Sequence, residues 1–285
     1  METSRTAQRL AARFVAGETL ERALEAGRDL NARGIPVTFD HLGESVTSLS
    51  EAAAARDVYL RTLAAIRQTG IRANLSLKLT QFGLDVSAAD CLANVEQLVR
   101  EAAAADSFVR VDMESSAYTS RTLDLVRELH ARHHAVGVAI QACLRRSRGD
   151  VEELCGRGIR VRLCKGAYLE PASVAFPRKR DVDWNFAELM KLLLERGQYP
   201  AIATHDEALI EETKAHAARH KIAPEAFEFQ MLYGIRGGLQ RQLVRDGYRL
   251  RVYVPFGRAW YPYYMRRLAE RPANVLFLVR NLLRR

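Results

Sequence analysis

The chain has 285 residues and a formal charge of +9, with 48% hydrophobic and 27% charged side chains. A chain of this length can bury roughly 75% of its unfolded surface, so a substantial core is available, and no apolar run approaches the roughly 18 to 20 residues of a membrane span. Cys91, Cys143, Cys155 and Cys164 form no Cys-x-x-Cys pair, no His-Glu-x-x-His is present, and METSRTAQRL leads into no secretion signal, so free thiols, no metal and a cytoplasmic location are expected.

In chain order, residues 1–32 read as a helical extension. Short β-branched runs follow, with longer helical patterns between them: IPVTFDH from Ile35, IRANLSLKL from Ile71, FVRVDM from Phe108, AVGVAIQA from Ala135, IRVRLCK from Ile159, AIATH from Ala201, AFEFQML from Ala226 and LRVYVP from Leu250. The intervening segments, such as SEAAAARDVYLRTLAAIRQTG, carry apolar residues at a period of 3.6. Eight strand–helix alternations predict an α/β fold, a distorted (β/α)8 TIM barrel, and with no linker tract or long repeat the whole of 1–285 is expected to be a single catalytic domain.

Such a barrel fills its interior with side chains and leaves chemistry to the C-terminal mouth. Polar residues that close the predicted strands are therefore candidates: Lys78, Asp112, Gln141, Arg162 with Lys165, Thr204 with His205, Gln230 and Tyr253. Beyond the eighth strand, YPYYMRRLAERPAN predicts a helix over 258–271 that Pro272 stops. Its residues Tyr263, Arg266, Arg267 and Glu270 share one face, which is either solvated or laid over the mouth. Residues 274–285 read as a C-terminal helix, either packed on the barrel or docked on an anionic membrane.

Counting Lys78, Arg162, Lys165, Arg266 and Arg267 against Asp112 and Glu270 makes the mouth net cationic, suited to a carboxylate or phosphate. In RLCKGAYLE the small residues after Lys165 would let backbone approach a bulky ligand, and GIRGGLQ at 234–240 is a turn that could also cradle a phosphate. No Gly-x-Gly-x-x-Gly follows the first strand, so a Rossmann-bound nicotinamide is not expected. A lyase using Lys78 or Lys165 as a Schiff base is the rival enzyme. The dispersed basic residues, without a stacking aromatic module, argue against nucleic acid.

Taken together, LSLKL at Lys78, VDME at Asp112, IQACLRR at Gln141, RLCKGAY, ATHD, EFQ, VYVPFG and YYMRRLAERPAN resemble the proline dehydrogenase family in its bacterial monofunctional form, from about Phe39 to Asn274. The resemblance implies noncovalent FAD in a distorted barrel. It implies oxidation of L-proline to 1-pyrroline-5-carboxylate by hydride transfer from C5 to FAD N5, the first step of catabolism to glutamate. The electrons would pass to a membrane quinone, with peripheral membrane contact. By the same resemblance, Arg266, Arg267 and Lys78 hold the carboxylate, Tyr253 and Tyr263 wall the ring, and Asp112 and Arg162 stand beside the reacting centre; helical spacing lets Glu270 orient one of the arginines from i+3 or i+4. Met113, Gln141, Lys165, Gly166, Ala167, Tyr168, Lys179, Thr204, His205 and Gln230 would contact FAD.

Overall fold

A computed structural model describes residues 13–269, the side chains of Tyr264 and residues 266–269 excepted. The expected helix over 274–285, the first twelve residues and Glu270 lie outside the described residues.

Eight parallel strands close on one another in chain order: β1 (Val37–His41), β2 (Ala73–Leu77), β3 (Val109–Val111), β4 (Val136–Gln141), β5 (Arg160–Cys164), β6 (Ala201–Ala203), β7 (Glu228–Leu232) and β8 (Leu250–Phe256). The sheet ends where it began, with Val37 of β1 opposite Val252 of β8, so no strand edge is left exposed. Helix α1 (Leu20–Asn31) precedes the barrel. After β1 to β7 come, in turn, α2 (Leu49–Thr69), α3 (Ala88–Ala104), α4 (Thr119–His133), α5 (Ser147–Gly156), α6 (Lys179–Arg196), α7 (Glu207–Arg219) and α8 (Gly237–Arg245), and α9 (Trp260–Ala269) follows β8. The expected (β/α)8 barrel is what the chain forms.

Local chemistry sets the helix starts. Ser48 accepts the Glu51 N–H at 3.2 Å while the Glu51 carboxylate accepts the Thr47 N–H at 2.7 Å, which satisfies donors that the first turn of α2 leaves without helical partners. Ser87 does the same for α3 through the Asp90 N–H. No helix among the described residues is long and apolar enough to cross a membrane.

The strands divide their side chains between two environments. One set, including Val37, Phe39, Leu75, Leu77, Val109, Val111, Phe229, Met231, Val252 and Val254, joins helix residues such as Leu63, Val95, Leu129 and Leu193 in one apolar cluster between sheet and helices. The alternate set is polar and faces the barrel interior, because successive strand residues point to opposite faces. Thr38 donates to Asn74 at 2.6 Å, Arg251 holds Glu228 at 2.9 and 3.1 Å, and the fully buried Arg110 donates to the Arg160 carbonyl at 2.7 Å. Burial pushes the Arg110 guanidinium well below its usual pKa, with Arg162 adding to the effect. Burial would raise Glu228, but the charge and hydrogen bonds of Arg251 outweigh it and hold this carboxyl low.

This arrangement corrects one expectation. Arg162, Gln230 and Tyr253 do not close their strands; they sit inside β5, β7 and β8 and belong to the polar interior. Lys78 and Asp112 stand one residue beyond β2 and β3, and Gln141 is the last residue of β4.

Candidate active site

Fifteen of the candidate residues line a single cavity of about 670 Å³ at the C-terminal mouth: Lys78, Asp112, Met113, Gln141, Arg162, Lys165, Gly166, Ala167, Tyr168, Lys179, Thr204, His205, Gln230, Tyr253 and Tyr263. The side chains of Arg266 and Arg267, and Glu270 altogether, lie outside the described residues. Helix α9 reaches the mouth through Trp260 and Tyr263, which are buried with Val15 and Leu42 and pack against Phe14 and Tyr253. The segment before α1 is laced to the end of β8 by Ala16 N–H to Pro255 at 2.9 Å and by Gly257 N–H to Gly17 at 2.9 Å.

The cavity floor is built around Asp112. Arg162 Nη1 donates to Asp112 Oδ1 at 2.7 Å, Ser76 Oγ to the same oxygen at 2.5 Å, and the Tyr253 hydroxyl to Oδ2 at 2.9 Å. Arg162 Nη2 also donates to Ser76 Oγ at 2.9 Å, and its guanidinium lies 5.3 Å from the centre of the Tyr253 ring. These contacts join β2, β3, β5 and β8 across the barrel. Burial works to raise the Asp112 carboxyl, but Arg162, Lys78 and the hydrogen bonds of Ser76 and Tyr253 outweigh it, so its pKa is lowered. Burial and the nearby charge of Asp112 push the Tyr253 phenol well above its usual range, so it remains a donor. A carboxylate this well satisfied orients its neighbours and is a poor proton acceptor.

Lys78 finds a partner the sequence reading passed over. Its Nζ lies 3.6 Å from Oδ2 of Asp40, a fully buried carboxylate on β1 that also accepts from Tyr59 at 3.1 Å. The alternation in VTFDH, which sets Asp40 on the same side as Thr38, is the signal that could have found it.

On the opposite wall, Lys165 Nζ contacts Asp183 at 2.6 Å and Asp206 at 2.9 Å. Burial lowers its pKa, but the two carboxylates prevail and raise it. Asp206 also caps α7 by accepting the Ala208 N–H at 3.2 Å, and Lys179 pairs with Asp183. The mouth is therefore not net cationic among the described residues. Lys78, Arg162, Lys165, Lys179 and Arg236 are matched by Asp112, Asp206 and Glu207 in the lining and by Asp40 and Asp183 behind it.

The GIRGGLQ turn reaches this wall too: Arg236 lines the cavity, donates to the His205 carbonyl at 2.7 Å and pairs with Glu207. The ring of His205 accepts the Leu232 N–H through Nε2 at 3.0 Å. Gln141 donates to the Glu114 carbonyl at 2.9 Å and accepts the Ala167 N–H at 3.4 Å, fixing the strap after β5.

That strap is the feature a large cofactor requires. Gly166 has a φ of +117°, and a Cβ there would run into the Cys143 sulfur, so only glycine holds the turn without strain. Bare backbone between Lys165 and Ala167, hydroxyl and imidazole at 204–205 and amides at 141 and 230 form a polar wall in a cavity within the roughly 300 to 1,000 Å³ usual for cofactors. These residues fit a flavin dinucleotide, whose ring system and phosphates need both a flat polar wall and cations.

A family model described as proline dehydrogenase matches residues 23–280. The chain is 42% identical to proline dehydrogenase 1 of Bacillus subtilis over 275 residues, covering 96% of this chain and 91% of that one. It is also 42% identical to a proline dehydrogenase of Deinococcus radiodurans over 282 residues, covering 96% and 90%. Among solved structures, proline utilization A (PutA) from Bdellovibrio bacteriovorus, inactivated by N-propargylglycine, superposes with a TM-score of 0.85 at 27% identity. That match covers 92% of this chain and 32% of the larger protein.

Proposed function

Because this chain belongs to the proline dehydrogenase family and oxidises proline in the first step of proline catabolism, we propose that the barrel mouth is where the reaction occurs, with FAD held noncovalently along the β4–β7 wall. Met113, Gln141, Lys165, Gly166, Ala167, Tyr168, Lys179, Thr204, His205 and Gln230 would hold the cofactor. When bound, FAD supplies the two-electron acceptor, at N5, for hydride from proline C5.

The remaining work falls to side chains of the chain itself. Lys78 together with Arg266 and Arg267 grips the carboxylate, Glu270 orients the arginines, and Tyr253 and Tyr263 wall the pyrrolidine ring. Arg162, fixed by Asp112 and Ser76, presents a positive charge where negative charge builds during transfer. Asp112 keeps Arg162 and Tyr253 in place. The substrate's ring nitrogen must shed its proton before its lone pair can assist the transfer, and cations gathered at the carboxylate disfavour the ammonium form. With Lys165 neutralised by two aspartates and Lys78 paired with Asp40, that effect rests mainly on Arg266 and Arg267.

The observation that carries this reading is the Asp112 tier, with Arg162 and Tyr253, beneath a cavity whose opposite wall is the Gly166 strap. A Schiff-base lyase working through Lys165 is disfavoured because such a lysine must lose its proton readily, whereas its two carboxylate partners push Lys165 the other way. The electrons would go to a membrane quinone on the cytoplasmic side, and residues 275–285 would either pack on the barrel or supply peripheral contact. Purified protein is expected to show an oxidised flavin spectrum, to release FAD on mild denaturation and to bleach on anaerobic addition of proline. Colourless protein, or a flavin indifferent to proline, would count against the assignment.

A further inference from the structure

Two helices that flank the barrel, α6 and α7, finish side by side at the end opposite the mouth. Three potential ligands converge there: Glu195 in the last turn of α6, His216 on α7 and His220 just past its last residue. The stretch HAARH, residues 216–220, puts two imidazoles four positions apart on one helical face, a spacing the search for His-Glu-x-x-His passes over. One ligand atom from each of the three residues lies within 4.8 Å of the other two.

The geometry at His216 is not that of a satisfied core histidine. The residue is only 4% exposed, and its Nε2 makes no hydrogen bond, although Oε1 of Glu195 lies 2.9 Å away. The separation suits an ion pair. The His220 ring stacks on His216 at 4.2 Å between centres and 22° between planes. Glu195 and His220 are exposed, so an ion has an entry path and room for water.

We propose that Glu195, His216 and His220 form a site for a late first-row divalent ion, zinc foremost, that ties the ends of α6 and α7 together. Two imidazoles and one carboxylate suit zinc, nickel or copper, whereas magnesium and calcium favour all-oxygen sets. Bonds of about 2.0 to 2.2 Å would draw neighbouring donors to roughly 3.3 Å apart, a rotation of side chains on fixed helices. The ion would stand between the buried Nε2 and the Glu195 carboxylate that now faces it, with both as ligands. Being remote from the mouth, it would act on stability and leave proline oxidation alone, so the inference stands apart from the cofactor reading.

The test uses the full chain without an affinity tag, stripped by chelator with its flavin retained, and zinc as the probe in calorimetry and thermal melts. One equivalent is expected to bind and to raise the melting temperature, with millimolar magnesium unable to compete. His220→Ala and Glu195→Gln, both at exposed positions, are each expected to weaken binding by about tenfold or more, with the rate of proline oxidation unchanged. Absence of zinc binding would overturn the proposal. So would unchanged, wild-type affinity in both variants, which would assign the ion to cysteines or to the separate group of Glu96 and His133.

Discussion

Asp112 accepts three hydrogen bonds and Gly166 has no side chain at all, and both are constrained by what surrounds them. The carboxylate is held by Arg162, Ser76 and Tyr253, so its contribution is the placement of a cation and a phenol. At Gly166 the limit is steric, with Cys143 directly in the way of any Cβ and a φ that L residues rarely adopt. Gly166→Ala is expected to lower the ratio of flavin to protein at purification, read as visible against ultraviolet absorbance. Adding Cys143→Ala should restore only part of it, because the clash is removed while the backbone strain remains. Full flavin content in Gly166→Ala would show that the strap does not approach the cofactor. Lys165 and Gly166 were legible in RLCKGAYLE, but the partners of Lys165 were not. Asp183 and Asp206 lie 18 and 41 residues away in the chain, and only the closing of the barrel brings them to one lysine.

At the scale of elements, the strands were readable as short β-branched runs between helical patterns, and in β5, β7 and β8 apolar and polar residues alternate. The same alternation explains the misplacement of Arg162, Gln230 and Tyr253. They are polar residues on the inward face of β5, β7 and β8, and a reading that expects an apolar barrel interior pushes such residues to the strand ends. Asp40 was missed for the same reason. Helix α9 was legible as a helix from its spacing, and Tyr263 in the cavity lining and Trp260 in the small apolar cluster fix how it meets the mouth. Arg266→Met on this helix is expected to weaken proline binding by about 2 to 5 kcal/mol, since removing one partner of a desolvated charge pair leaves the other uncompensated. A titration of the flavin spectrum with a proline analogue measures the affinity, and the same sample gives the flavin content, which is expected to hold. Parallel loss of both would make α9 a structural lid rather than a substrate clamp.

Over the whole molecule, the +9 charge does not concentrate in the described part of the mouth, where cations and carboxylates balance. Most of the excess belongs to residues 1–12 and 266–285, whose side chains lie outside the described ones, and exposed pairs on the outer helices such as Arg148 with Glu152 contribute little stability. Stability against acid should instead be governed by the interior. Asp112 and Glu228 are held below their ordinary values by Arg162 and Arg251, against burial, and Asp183 and Asp206 are lowered in their contacts with Lys165. Depressed carboxyl pKa values add stability that is fully present above the unfolded values near pH 4 and is lost as pH falls through the folded ones. The melting temperature should therefore drop steeply below about pH 4. Asp112→Asn should show a shallower acid limb, and an unchanged limb would mean that this carboxylate is not held as the geometry indicates.

The role of the Asp112 tier as the positioning centre of proline oxidation is tested most directly by anaerobic stopped-flow bleaching of the flavin by proline in wild type, Asp112→Asn and Arg162→Lys, with flavin content measured on the same samples. Misplacing a catalytic group by about 1 Å costs roughly 10²-fold in rate. Bleaching slowed by about that factor, at full flavin occupancy, is the expected result. Wild-type bleaching rates in both variants would contradict it.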